Sequence, residues 1–203
     1  MAEDKKPGSD KAWEMLATLN PAIVCREAAV SYAGASGSYR IRSLGMDIAV
    51  SLQQRAIAGS SPGSDILLQR LGTWFEISAL WYLVSAKDFP QTGRLVTPRS
   101  IQGGQIFAKG SHVLPLDQIA MKYGKDREAF LKRGLELGGE ATNIGDASVK
   151  LQPFPRIPAL MVLWLGDEEF PARADLLFDS TCGLQVPVDI LWSIAMMTVL
   201  AME

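Results

Sequence analysis

Residues 153–179 read PFPRIPALMVLWLGDEEFPARADLLFD, and few folds can accommodate them. An apolar run, a Gly followed by three acids, a Phe-Pro step and a second apolar run follow one another without a break. Short apolar runs bounded by turn residues are the mark of strands buried on both faces. The stretch therefore predicts two buried strands joined at an acidic, hydrated tip.

Upstream, the pattern has period two on either side of Leu44-Gly45. Tyr39, Ile41 and Ser43 alternate with Arg40 and Arg42, then Met46, Ile48, Val50 and Leu52 with Asp47, Ala49 and Ser51. This is a hairpin with one wet face, and 54–58 offers a third strand. The small, Gly-rich segment 31–37 reads as a loop. Ala147 to Gln152 reads as a further strand.

Helical spacing occupies much of the rest. Asp10 is placed to cap a first helix, and Asn20-Pro21 supplies an N-cap and an N1 proline for a second. Leu67, Leu71, Trp74, Phe75, Ser78 and Tyr82 mark a long central helix that Gly72 can interrupt. Helices over 115–123 and from Asp126 to Gly138-Gly139 follow. The C-terminal helix carries Val188, Leu191, Trp192, Ala195, Met196, Val199 and Leu200 on one stripe behind Pro187. Strands and helices do not alternate strictly, which argues against a doubly wound parallel sheet. The expected class is α+β: an N-terminal β-hairpin and a C-terminal strand pair in a mainly antiparallel sheet, packed by helices that include the central and C-terminal ones. Residues 1–8 are expected to be a flexible tail and 9–203 a single domain.

With a net charge of −2 and no basic run interleaved with aromatics, nucleic acid is not an expected partner. The N-terminus MAEDKKPGSD has no apolar core of a secretory signal, and the apolar segment 66–86 is broken by Gln69, Arg70 and Glu76. No membrane association and a cytoplasmic location are expected. Cys25 and Cys182 form no C-x-x-C pair, so no metal or iron–sulfur cofactor is expected of this chain alone.

Several sequence blocks resemble a prokaryotic domain-of-unknown-function family found mainly in anaerobes. They are Leu137-Gly138-Gly139, Gly145-Asp146-Ala147, Pro155-Arg156-Ile157-Pro158, Trp164 with Gly166-Asp167-Glu168-Glu169-Phe170-Pro171, and Leu177-Phe178-Asp179. Weaker likeness runs through 39–50, Trp81-Tyr82-Leu83 and Gly103-Gly104. The resemblance implies a fold and an anaerobic cytoplasmic setting, and it implies no reaction. Some relatives carry an added four-cysteine iron–sulfur module of the kind seen in corrinoid and carbon-monoxide metabolism, which this chain lacks.

Two places could carry chemistry. Asp167, Glu168 and Glu169, with Asp175 and Asp179, could hold a hard cation or divide acid and base roles, but a charged turn between apolar strands also serves solubility. Asp167 and Asp179 stand out because each closes an apolar run. In the loop TPRSIQGGQIFAKGSH, Gly103-Gly104 could bring backbone N–H groups to an anion, with Arg99 and Lys109 assisting. Against this, a Gly pair is also a tight surface turn. His112 is the only histidine, which supports neither a His-based metal site nor a triad, and no catalytic residue is assigned. The leading expectation is a non-catalytic accessory or interaction domain with a protein partner in anaerobic redox or corrinoid/iron–sulfur metabolism. The alternative is a small-ligand-binding protein or enzyme that uses the Gly-rich loop 97–112 and the acidic strand ends.

Overall fold

The computed structural model describes residues 7–61, 63–108 and 110–203. Of the expected tail, residues 1–6 lie outside these, while Pro7 and Gly8 open the first helix. That helix, α1 (Pro7–Thr18), begins earlier than an Asp10 cap would place it. Asp10 stands in its first turn and pairs with Arg55 at 3.0 Å. The second helix, α2 (Pro21–Ala28), starts as its sequence predicts, with Asn20 Oδ1 accepting the Ala22 N–H.

Next comes a four-stranded antiparallel meander, β1 (Ser31–Ala33), β2 (Ser38–Ser43), β3 (Met46–Ser51) and β4 (Ala56–Gly59), paired in that order. The segment expected to be a loop thus supplies a short edge strand, because Ser31–Ala33 finds β2 residues 38–40 opposite it. A wide helical turn over Ile66–Arg70, closed by the Leu71 N–H on the Ile66 carbonyl, leads into the central helix α3 (Gly72–Ser85).

Beyond α3 the chain forms β5 (Leu95–Val96), short helical turns at Pro98–Ser100, Gly104–Ala108 and Gly110–His112, then α4 (Leu116–Tyr123) and α5 (Arg127–Glu136). Asp126 caps α5 by accepting the Ala129 N–H. The strands β6 (Glu140–Thr142), β7 (Ala147–Phe154), β8 (Ile157–Trp164) and β9 (Arg173–Asp179) precede the last helix, α6 (Val188–Met202). They form a second antiparallel sheet in the order β5-β9-β8-β7-β6. The α+β class holds, and the strand pair read from 153–179 is β8–β9 at the centre of this sheet. The N- and C-terminal strands build two sheets rather than one.

The sheets meet through glycine. Leu44-Gly45 turns the β2–β3 hairpin with φ of 45° and 78°, and the Leu44 N–H donates to the Gln152 carbonyl at 2.9 Å. A Cβ on Gly45 would lie 2.9 Å from the Gly138 Cα, so the hairpin tip seats backbone against backbone. One face of β8 and β9 (Ala159, Met161, Leu163, Leu176, Phe178) joins the main core. The helices α1, α3 and α6 pack together in this core, and the rings of Phe75 and Tyr82 on α3 stack on Phe154 of β7.

Tyr82 also ties three elements by its hydroxyl, which donates to the Ala28 carbonyl at 2.7 Å and accepts the Arg156 N–H at 3.0 Å. The Arg156 guanidinium donates to the last carbonyls of α2, at Glu27 and Arg26, and pairs with Asp88. The Pro155-Arg156-Ile157-Pro158 block thus locks α2 and α3 to the β7–β8 turn. Among the described residues no helix is long and apolar enough to cross a membrane.

Tyr82→Phe leaves a buried carbonyl and a partly buried N–H without their partner and should cost about 1–3 kcal/mol in urea unfolding. Gly138→Ala combines a positive φ with a backbone collision and should cost roughly 2–5 kcal/mol by the same measurement. A Gly138→Ala protein as stable as the parent would show that the hairpin tip is not seated on Gly138.

Candidate functional site

The segment from Gln91 to Pro115 crosses one edge of the second sheet, and it is held at both ends. At its start, the buried carboxylate of Asp179 collects five donors. Gly93 N–H (2.7 Å), Thr92 N–H and Thr92 hydroxyl come from the segment, and Thr181 N–H and hydroxyl (2.6 Å) come from the chain beyond β9. Burial alone would raise its pKa, but these hydrogen bonds outweigh burial and hold the carboxyl below the usual carboxylate range. At the far end the Trp192 indole N–H of α6 donates to the His112 carbonyl at 2.9 Å, and the imidazole rests on the indole, ring centroids 4.5 Å apart. Asp179 is therefore a brace for the segment, and its charge is fully occupied.

Between these anchors the segment pairs with β9 only briefly. Leu95 faces Asp179 and Val96 faces Phe178. In the same register Pro98 would face Leu176, but proline has no N–H to give and the chain bends away into its helical turn. Gly103, at φ 79°, lies against Val188. Gly104 folds back so closely that a Cβ there would sit 2.2 Å from the Pro98 carbonyl oxygen, and its N–H is committed to the Ile101 carbonyl. The Gly pair makes a tight fold-back, with at least one of its two N–H groups unavailable to an anion.

The result is a groove of about 460 Å³ between this segment, the start of α4 and the β9 edge. Phe107, Val113, Leu114 and Leu116 give it apolar walls, Val113 being half exposed; Arg99 and Asp175 stand at its polar margin. Asp175 Oδ2 already accepts the Trp164 indole N–H at 2.9 Å and pairs with Arg173 at 3.2 Å. Arg99 is exposed and makes no ion pair among the described residues.

The sequence-predicted residues do not converge. Asp167 lies in the turn after β8, where it accepts the N–H groups of Phe170 and Glu169 at 2.7 and 2.8 Å; these bonds lower its pKa. It stands at the opposite end of the β8–β9 ladder from Asp179, about 20 Å away at the rise of a strand. Each of Arg99, Asp179 and Asp167 borders a different hollow. The one beside Asp179 is about 210 Å³, with Leu160 on its floor and Lys150 at its rim. The one beside Asp167 is about 480 Å³, flanked by exposed Met121 and Phe170. Lys109 lies outside the described residues. No group of three or more His, Cys, Asp or Glu able to hold a metal ion occurs among the described residues. Both cysteines are free: burial raises the Cys25 thiol, and burial, with Asp179 adding to it, pushes Cys182 up to about 12. The carboxylate on the Arg99 side is Asp175, which sequence reading counted among the acids without singling it out. The signal that could have found the groove is Pro98, two residues beyond a strand it cannot extend.

The profile of a family described as a domain of unknown function, DUF3786, matches residues 20–201. The chain belongs to that family. No curated protein and no solved structure matches it. In this DUF3786 chain the blocks that carry the resemblance are tied into the fold. Arg156 caps α2, Asp146 accepts the Leu165 N–H at 2.8 Å, and Gly138 receives Gly45.

Asp179→Asn should cost about 1.5–3 kcal/mol at neutral pH by denaturant unfolding, because a buried charged acceptor is lost. Since the folded pKa is depressed, the wild-type contribution is present above the unfolded carboxylate value near 3.9 and disappears as pH falls through the lower folded value. The gap between the two proteins should therefore close in acid. A gap that persisted unchanged to the lowest pH at which both fold would contradict the depressed pKa.

Proposed function

We propose that this DUF3786 chain is a non-catalytic binding domain that holds a protein partner at the groove beside β9. The setting we propose is the anaerobic redox or corrinoid metabolism that the family resemblance implies. The observation that carries the reading is an unpaired Arg99 at the margin of an apolar groove whose other charged group, Asp175, is already engaged. A cation with free donors beside apolar walls is equipped to recognise a carboxylate-bearing surface. The other carboxylates of interest are spent on backbone: Asp179 braces the segment, and Asp167 closes a turn.

Affinity capture from native anaerobic extract, followed by hydrogen exchange on the reconstituted complex, tests the reading. Protection is expected at 97–99, 113–116 and 174–177, and Arg99→Glu should weaken capture at least tenfold without shifting the melting temperature. Protection confined to the face around Met121 and Phe170, or capture indifferent to Arg99→Glu, would overturn it.

A further inference from the structure

The hollow beside Asp167 is bordered by the two most exposed large apolar side chains among the described residues, Met121 at 77% and Phe170 at 67%. Large apolar groups gathered at one hollow mark an association surface, whereas single ones scattered over a surface do not. Phe170 is also held in place. Its N–H donates to Asp167 Oδ1 at 2.7 Å, its carbonyl accepts the Asp167 N–H at 3.0 Å, and Pro171 restricts its backbone from the other side. The turn is stapled to the end of α4. The Gly166 N–H donates to the Gly124 carbonyl at 3.1 Å, and a Cβ on Gly124 would lie 2.3 Å from the Ala172 Cβ. An aromatic ring presented by so constrained a turn has little backbone freedom left to lose on association. Beside it, small residues (Ala120, Gly124, Gly166 and Ala172) line a hollow of about 480 Å³. Knob and hole share one patch.

Going beyond the groove bordered by Arg99, we propose that this second face joins two copies of the chain in a symmetric dimer. A two-fold axis through the patch sets Phe170 of each copy into the hollow of the other, the reciprocal exchange that an isologous interface requires. Met121, a flexible thioether chain, packs around the incoming ring. Aromatic residues and Met are the side chains that such interfaces gather at their centres. Charge selects the same occupant. The α4 side of the hollow carries Lys122 and Lys125, and the turn carries Glu168 and Glu169. None of the four makes an ion pair among the described residues, and Lys122 donates to the neutral Glu203 carbonyl. Asp126 and Asp167 are committed to backbone N–H groups, and Asp117 stands one turn before Met121. A partner surface of one sign would be repelled by one of the two sides. A two-fold copy instead sets Glu168 and Glu169 of each chain against Lys122 and Lys125 of the other.

Sedimentation equilibrium on the full chain tests the proposal. The parent should be a dimer, and Phe170→Glu should raise the dissociation constant roughly thirtyfold or more, as loss of a central aromatic anchor does. Because Phe170 is exposed in the single chain, the variant should keep the parent's far-ultraviolet circular dichroism. Lys125→Glu and Glu169→Lys should each weaken self-association about tenfold, since symmetry counts each reversal twice. Mixed in equal amounts, those two variants should form a heterodimer tighter than either homodimer, because both contacts are then complementary. This arm reads the interface even if Phe170→Glu does not fold. A parent that stays monomeric across the concentration range, a dimer indifferent to Phe170→Glu, or a mixture no tighter than its components would overturn the proposal. A dimer that Arg99→Glu dissolves would overturn it too, moving the contact to the groove beside β9. Arg99→Glu should leave this dimer intact, so the fate of the partner reading and that of the dimer are read separately.

Discussion

The hydroxyl of Tyr82 is the point on which the two halves of this molecule depend. It gives its proton to the end of α2 and takes the N–H of Arg156 from the β7–β8 turn, while its ring stacks on Phe154. Arg156 then completes the joint by satisfying α2 carbonyls that a helix end leaves open. The hydroxyl and the α2 carbonyl it serves lie in the interior, where an unpaired polar group is costly. The arrangement therefore fixes α3 against both the N-terminal elements and the second sheet. The helix α6 packs on α3, with the Trp74 and Trp192 rings edge to face, so the position of Trp192 follows from the same joint.

That dependence reaches the groove. Trp192 holds the backbone of His112, and Asp179 holds Thr92 and Gly93, so a segment with little regular structure is pinned at two places over the sheet edge. Between the pins, the polymer chemistry of proline and glycine decides the shape. Pro98 cannot extend the ladder, and Gly104 lets the chain double back onto the Pro98 carbonyl. The groove beside β9 takes its shape from where those two residues fall.

Much of the fold was legible from pattern alone. The period of two around Leu44-Gly45, the N-cap at Asn20 and the cap at Asp126 each act through neighbours a few residues away, and each appears where its local chemistry requires. Other features escaped because their causes are distant. The edge strand at Ser31–Ala33 exists only because β2 lies beside it, and the contact between the two sheets depends on Gly45 meeting Gly138. Asp179 drew notice as an acid closing an apolar run. Only the fold shows that its partners are Thr92, Gly93 and Thr181, and that Asp167 is at the other end of the strand pair.

By itself the sequence determined the α+β class, the antiparallel pair at 153–179 and the helix limits set by Asn20-Pro21 and Asp126. These depend on periodicity and on capping, which are properties of short stretches of chain. Tertiary structure alone decided which charges are spent and which are free. The pairing of Asp175 with Trp164 and Arg173 and the bracing role of Asp179 both arise from contacts between residues or elements brought together by folding. The acidic tip that dominates the sequence closes a turn, while Arg99, without an ion pair among the described residues, lies in the Gly-rich loop beside β9.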